Sequence, residues 1–272
     1  MTEFADKYQT LLLHRERSRL HVTLNRPEVK NALNPTLIGE LRAVFEILQD
    51  RRDIKVVVLR GAGGTFCAGA DLKSMEQSLT DKPKPGEKDP IATWNRGFGT
   101  FLEMVNTSPQ VVVAAVEGYA IAGGFGILCV SDVAICTEDA GFAMSETAIG
   151  IVPAQIAPFV AARIGVPQTR HLTLTAARFK GAEAHRLGIA HYLVKDSPAL
   201  DAKLEELLKQ IDKCAPIANA LTKQVVMKVG TEPLSQVLDF AADKFAEARR
   251  GPEASEGLRA FAEKRQPKWV TE

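Results

Sequence analysis

Three short apolar runs constrain the fold of this chain more than any other feature: Lys55-Val56-Val57-Val58-Leu59-Arg60, Val111–Val116 and residues 133–136. They are too short for a buried helix and rich in valine, the pattern of strands buried on both faces of a sheet. Ahead of the first run, Leu37, Ile38, Leu41, Val44, Phe45 and Leu48 recur at helical spacing and define one buried helix face. Asn34-Pro35 supplies that helix with an N-cap residue and a first-turn proline. Thr10-Leu11-Leu12-Leu13 and Leu20-His21-Val22-Thr23-Leu24 flank a polar break and read as a strand pair. Strands alternating with helices predict α/β layering.

Composition narrows the function. With 272 residues and 46% hydrophobic content, the chain has ample material for a core. Lys+Arg 34 against Asp+Glu 33 leaves no cationic excess for a dedicated nucleic-acid binder. The cysteines (Cys67, Cys129, Cys136, Cys214) follow neither disulfide nor metal spacing, which fits a reducing compartment. Residues 1–8 are polar, so no signal peptide is expected. The apolar stretch 111–136 is interrupted by Glu117 and Asp132, short of the roughly 20 residues a membrane span needs. The expectation is a cytoplasmic protein with no membrane or nucleic-acid partner.

The run Lys82-Pro83-Lys84-Pro85-Gly86-Glu87-Lys88 is expected to be a mobile surface loop. After Pro198 the strand signals stop, and residues 200–211, 217–229, 234–248 and 254–264 look helical. Leu234, Val237, Leu238, Ala241, Phe245 and Ala248 form an apolar stripe on one of them. These helices suggest an appendage that packs elsewhere, on a neighbouring subunit.

Two glycine clusters follow interior strands. One is Gly61-Ala62-Gly63-Gly64-Thr65-Phe66-Cys67-Ala68-Gly69-Ala70-Asp71-Leu72; the other is Gly118-Tyr119-Ala120-Ile121-Ala122-Gly123-Gly124-Phe125-Gly126. Either alone reads as a tight turn. Together they offer backbone N–H groups to a developing negative charge. Neither is a P-loop or a dinucleotide fingerprint, and no nucleophile elbow or zinc helix is present. The histidines are scattered, and Cys67 reads as a small core residue. Glu146 is an acidic residue between apolar segments.

The clusters and Glu146 together resemble the enoyl-CoA hydratase/isomerase (crotonase) family. The similarity starts at Asn25-Arg26-Pro27 and Asn31-Ala32-Leu33 and runs through Phe66-Cys67-Ala68-Gly69-Ala70-Asp71-Leu72 and Gly123-Gly124. It ends at Glu256-Gly257-Leu258-Arg259-Ala260-Phe261-Ala262-Glu263-Lys264-Arg265. The resemblance implies a spiral of strand-strand-helix units over residues 1–197 and an all-helical trimerisation region over 198–272, assembled as a trimer or dimer of trimers. It implies a thioester oxyanion hole from the N–H groups of Ala70 and Gly123, with Glu146 as acid/base. An acyl-CoA substrate would lie along Lys30, Ala32, Ala68, Asp71 and Leu72, and Phe261 and Lys264 would reach it from a neighbouring subunit. No separate cofactor or metal is implied.

One departure stands out. Family hydratases usually carry a second glutamate, and its position here is Gly126. The string Ser145-Glu146-Thr147-Ala148-Ile149-Gly150-Ile151-Val152-Pro153-Ala154-Gln155-Ile156-Ala157-Pro158 is similar to bacterial hydratases of branched glutaconyl-CoA thioesters. Such substrates carry their own carboxylate. Gly126 is expected to leave room where a glutamate would project, favouring the isohexenylglutaconyl over the methylglutaconyl substrate. The alternatives are a double-bond isomerase with Glu146 as sole base, and a silent CoA-binding scaffold.

Overall fold

The computed structural model describes residues 8–71 and 86–270. In chain order the strands are β1 (Leu11–Glu16), β2 (Arg19–Leu24), β3 (Val56–Gly61), β4 (Val111–Val116), β5 (Tyr119–Ile121), β6 (Val133–Thr137), β7 (Gly141–Ala143), β8 (Arg178–Lys180) and β9 (Tyr192–Val194). The helices are α1 (Pro35–Leu48), α2 (Pro90–Asn106), α3 (Gly123–Cys129), α4 (Ala157–Ile164), α5 (Val166–Thr175), α6 (Gly181–Arg186), α7 (Ser197–Asp212), α8 (Pro216–Lys228), α9 (Leu234–Arg250) and α10 (Pro252–Ala262).

The main sheet has the order β1-β2-β3-β4-β6-β9. Only β1 and β2 run antiparallel; the remaining pairs are parallel. A smaller sheet, β5-β7-β8, lies beside it. Strand alternation explains the apolar runs. Val57, Leu59, Val112 and Ala114 face the core formed with α1, whereas Val56, Val58, Val113 and Ala115 face Leu200, Leu204, Leu207, Leu208 and Ile211 of α7. Burial on both faces leaves no polar position between strand ends.

The strand pair, α1 and the three interior strands occur where the sequence puts them. Asn34 caps α1, its Oδ1 accepting from the Leu37 N–H at 2.8 Å. Nothing in the sequence announced the smaller sheet: its strands have three residues each, too few for a period-two pattern. A boundary between residues 197 and 198 would part the sheet from α7, which covers it. The helices that stand off the sheet begin with α8. Most of the expected mobile loop, and residues 1–8 apart from Tyr8, lie outside the described residues. Among the described residues no helix is long and apolar enough to cross a membrane.

Candidate active site

The site begins with a buried asparagine. Asn31 accepts from the Arg26 N–H at 2.8 Å and donates to the carbonyls of Ala62 (2.9 Å) and Thr65 (2.6 Å). It thereby ties residues 26–33 to the first glycine cluster. Leu33 completes the join: its N–H donates to Gly69 O (2.7 Å), and the Asp71 N–H donates to Leu33 O (2.9 Å). This bridge uses the backbone groups either side of Ala70 and turns the Ala70 N–H away from Leu33.

The second cluster packs directly on the first. The Cys67 N–H donates to Tyr119 O (2.8 Å) and the Ile121 N–H to Cys67 O (3.0 Å). Gly69 has φ +98°, and a Cβ there would stand 3.1 Å from the Ala122 Cβ and 3.2 Å from the Ile121 carbonyl oxygen. A side chain would therefore wedge the two clusters apart. Ala122 holds the unusual φ of 48°, with its N–H donating to Ala143 O, and α3 starts at Gly123. Among the described residues, the N–H groups of Ala70 and Gly123 have no hydrogen-bond acceptor.

Glu146 opens the turn after β7 and is only 9% exposed. Its Oε2 has no partner among the described residues. Burial pushes its carboxyl above the ordinary glutamate range, and a hydrogen bond from its own backbone N–H opposes this in part. Ala68, Ala70, Gly123 and Glu146 line one cavity of about 550 Å³, walled by Ile38, Trp94, Phe98 and Ile156 among others. The residues that carry a partly desolvated carboxyl and two unpaired N–H donors thus line the same space. That set can move a proton beside a carbonyl whose oxygen gains negative charge.

The family model for enoyl-CoA hydratase/isomerase matches residues 14–272. This chain belongs to the enoyl-CoA hydratase/isomerase family. Carnitinyl-CoA dehydratase of Escherichia coli (strain K12) is 31% identical over 267 residues, covering 96% of this chain and 98% of that protein. An enoyl-CoA hydratase/isomerase from Marinobacter aquaeolei superposes with TM-score 0.93 at 45% identity, covering 96% of this chain and 99% of that one. Pseudomonas aeruginosa AtuE superposes with TM-score 0.91 at 49% identity, covering 97% of this chain and 100% of that one.

The remaining sequence-predicted residues of this hydratase/isomerase-family chain fall into three groups. Lys30, Ala32 and Asp71 surround the first cluster without lining the cavity. Lys30 Nζ stands 5.4 Å from the Tyr119 ring centroid, and its carbonyl accepts from the Ala68 N–H. The Ala32 carbonyl accepts from Arg26, and Asp71 pairs with Arg26 at 3.0 Å. Leu72 lies outside the described residues. Phe261 and Lys264 sit exposed at the end of α10, away from this chain's own cavity.

Gly126 requires a correction. It leaves no room: a Cβ there would meet Ile156 Cγ2 at 2.3 Å. Ile156, buried at 3% exposure, fills the direction a glutamate would take, so an apolar wall stands there. Cys67 conforms to the packing role, since burial pushes its thiol up to about 12. Sequence reasoning missed Arg42, which lines the cavity from α1. Its only signal was the shared face of Pro35, Ile38 and Gly39.

Proposed function

We propose that the chain is a hydratase acting on the α,β double bond of a branched glutaconyl-CoA thioester, with isohexenylglutaconyl-CoA favoured and methylglutaconyl-CoA next. The observation that carries this reading is the shared cavity of Glu146 with the unpaired N–H groups of Ala70 and Gly123. A cavity of about 550 Å³ with mostly apolar walls supports the larger branched chain. Gly126 adds no space to it, because Ile156 fills that volume.

In this reading ionised Glu146 takes a proton from water as the water oxygen bonds to the β-carbon. The electron pair of the double bond moves towards the thioester, and the resulting enolate oxygen accepts hydrogen bonds from Ala70 and Gly123. Protonated Glu146 then returns its proton to the α-carbon. One carboxyl serves both transfers, and the substrate's own carboxylate accepts a hydrogen bond from the attacking water. In the assembly we propose, a trimer or dimer of trimers, Phe261 and Lys264 meet the coenzyme A of a neighbouring subunit.

The apolar wall of Ile156 favours one second reading, a double-bond isomerase in which Glu146 moves a proton between α- and γ-carbons. A single assay separates the two. Purified protein is given a panel of enoyl-CoA thioesters in H₂¹⁸O and the products are weighed by mass spectrometry. Hydration adds labelled water; isomerisation leaves the mass unchanged. A kcat/KM for branched glutaconyl-CoA no greater than that for crotonyl-CoA overturns the substrate assignment.

A further inference from the structure

Among the described residues, the cavity carries two charged groups, Glu146 and Arg42. Arg42 lies on α1 one face with Pro35, Ile38 and Gly39, at spacings i, i+3, i+4 and i+7. That face forms one wall of a groove, and Trp94 and Phe98 of α2 stand in the other. Arg42 lies seven positions beyond Pro35, about 10 Å along the axis. Helical side chains lean towards the N-terminus, here towards Leu33 and the bridge it makes with Ala70.

The other arginines near the site are occupied. Arg26 binds Asp71 and the Ala32 carbonyl, and Arg96 binds both oxygens of Glu103. Arg42, half-buried, has no hydrogen bond, ion pair or ring contact among the described residues. A guanidinium offers donors in a planar fork that matches a carboxylate through two parallel hydrogen bonds. Half-buried and unpaired, the Arg42 fork remains open to a ligand that brings the anion.

We infer that Arg42 determines acyl specificity by pairing with a carboxylate carried on the substrate. The inference rests on the reading of this cavity as an acyl-CoA site. The same guanidinium would repel a chain bearing a quaternary ammonium, as a carnitinyl group does. A coenzyme A phosphate is the rival anion, and it is common to all thioesters, so a matched pair of ligands distinguishes the two.

Glutaryl-CoA and valeryl-CoA have acyl chains of equal carbon count and differ in a terminal carboxylate against a methyl group. Their affinities for the unmodified protein, Arg42→Met and Arg42→Lys are measured by titration calorimetry. Arg42→Met is expected to cut the glutaryl-to-valeryl preference by about tenfold or more, and Arg42→Lys to restore part of it. In turnover of a branched glutaconyl-CoA, KM should rise more than kcat falls. Equal loss of both affinities assigns Arg42 to a phosphate or to the scaffold and overturns the inference, as does no loss of either. Failure of the unmodified protein to bind either thioester sinks the acyl-CoA reading itself. Binding discrimination without hydration keeps Arg42 in its role and removes the hydratase.

Discussion

Glu146 shows what the site costs the fold. A carboxyl whose pKa is raised on folding holds its proton more tightly in the native than in the unfolded chain. The native state is therefore penalised as pH rises above the unfolded value, and the penalty is complete above the folded one. Glu146→Gln removes this dependence, so its melting temperature relative to the unmodified protein should be higher at pH 8 than at pH 4. Turnover should fall by about 10²–10⁴, while CoA affinity persists. Near-normal turnover would remove Glu146 from the mechanism. At Gly126, an added glutamate has to displace Ile156, and overpacking of that kind costs about 1–3 kcal/mol. Gly126→Glu alone should be destabilised in urea, and Gly126→Glu with Ile156→Gly should recover stability. A single variant as stable as the parent would show that Ile156 yields readily.

At the scale of elements, long cations from one part of the chain anchor backbone from another. Lys223 of α8 donates to the carbonyls of Ser108 (2.7 Å) and Gln110 (2.6 Å) and to Asp132 (2.6 Å). Lys55 donates to the Asp212 carbonyl at 2.8 Å and to that of Trp269. These bonds hold α8 and the C-terminal segment where apolar contact with the sheet is sparse. Desolvation outweighs the Lys223 charge and leaves the Asp132 carboxyl above its ordinary value. The half-buried pair falls between exposed bridges, worth under about 1 kcal/mol, and buried ones, costing about 3–5 kcal/mol when broken. Lys223→Met should thus destabilise by about 2 kcal/mol in urea, and adding Asp132→Asn should return part of it. A neutral single variant would show that the pair contributes nothing.

For the whole molecule, the apolar stripe on α9 decides the expectation. Leu234, Leu238 and Phe245 are 70%, 59% and 72% exposed, and Phe261 is 86% exposed, whereas Val237 turns inward at 4%. An isolated chain would present this surface to water, and such patches mark interfaces. Sedimentation at micromolar concentration should give a trimer or hexamer, and Phe245→Asp should shift it towards the monomer. A stable, active monomer of the unmodified protein would refute the assembly.

Periodicity and capping chemistry are local, so the chain alone determined α1 with its Asn34 cap, the doubly buried strands and the C-terminal helices. The ordered motifs carry a family resemblance that implied roles for Ala70, Gly123 and Glu146, and the structure brings the three to one cavity. What lay beyond the sequence depended on residues distant along the chain. The two glycine clusters meet through backbone hydrogen bonds between Cys67 and residues 119 and 121, with Gly69 packed on Ala122. The space beside Gly126 belongs to Ile156, which glycine as a residue type cannot reveal. Arg42 reads as a solvated helix position until α2 closes a groove over it. Local sequence sets which way a backbone turns; which side chain fills a given volume is settled only when separate elements pack, since packing is a property of pairs.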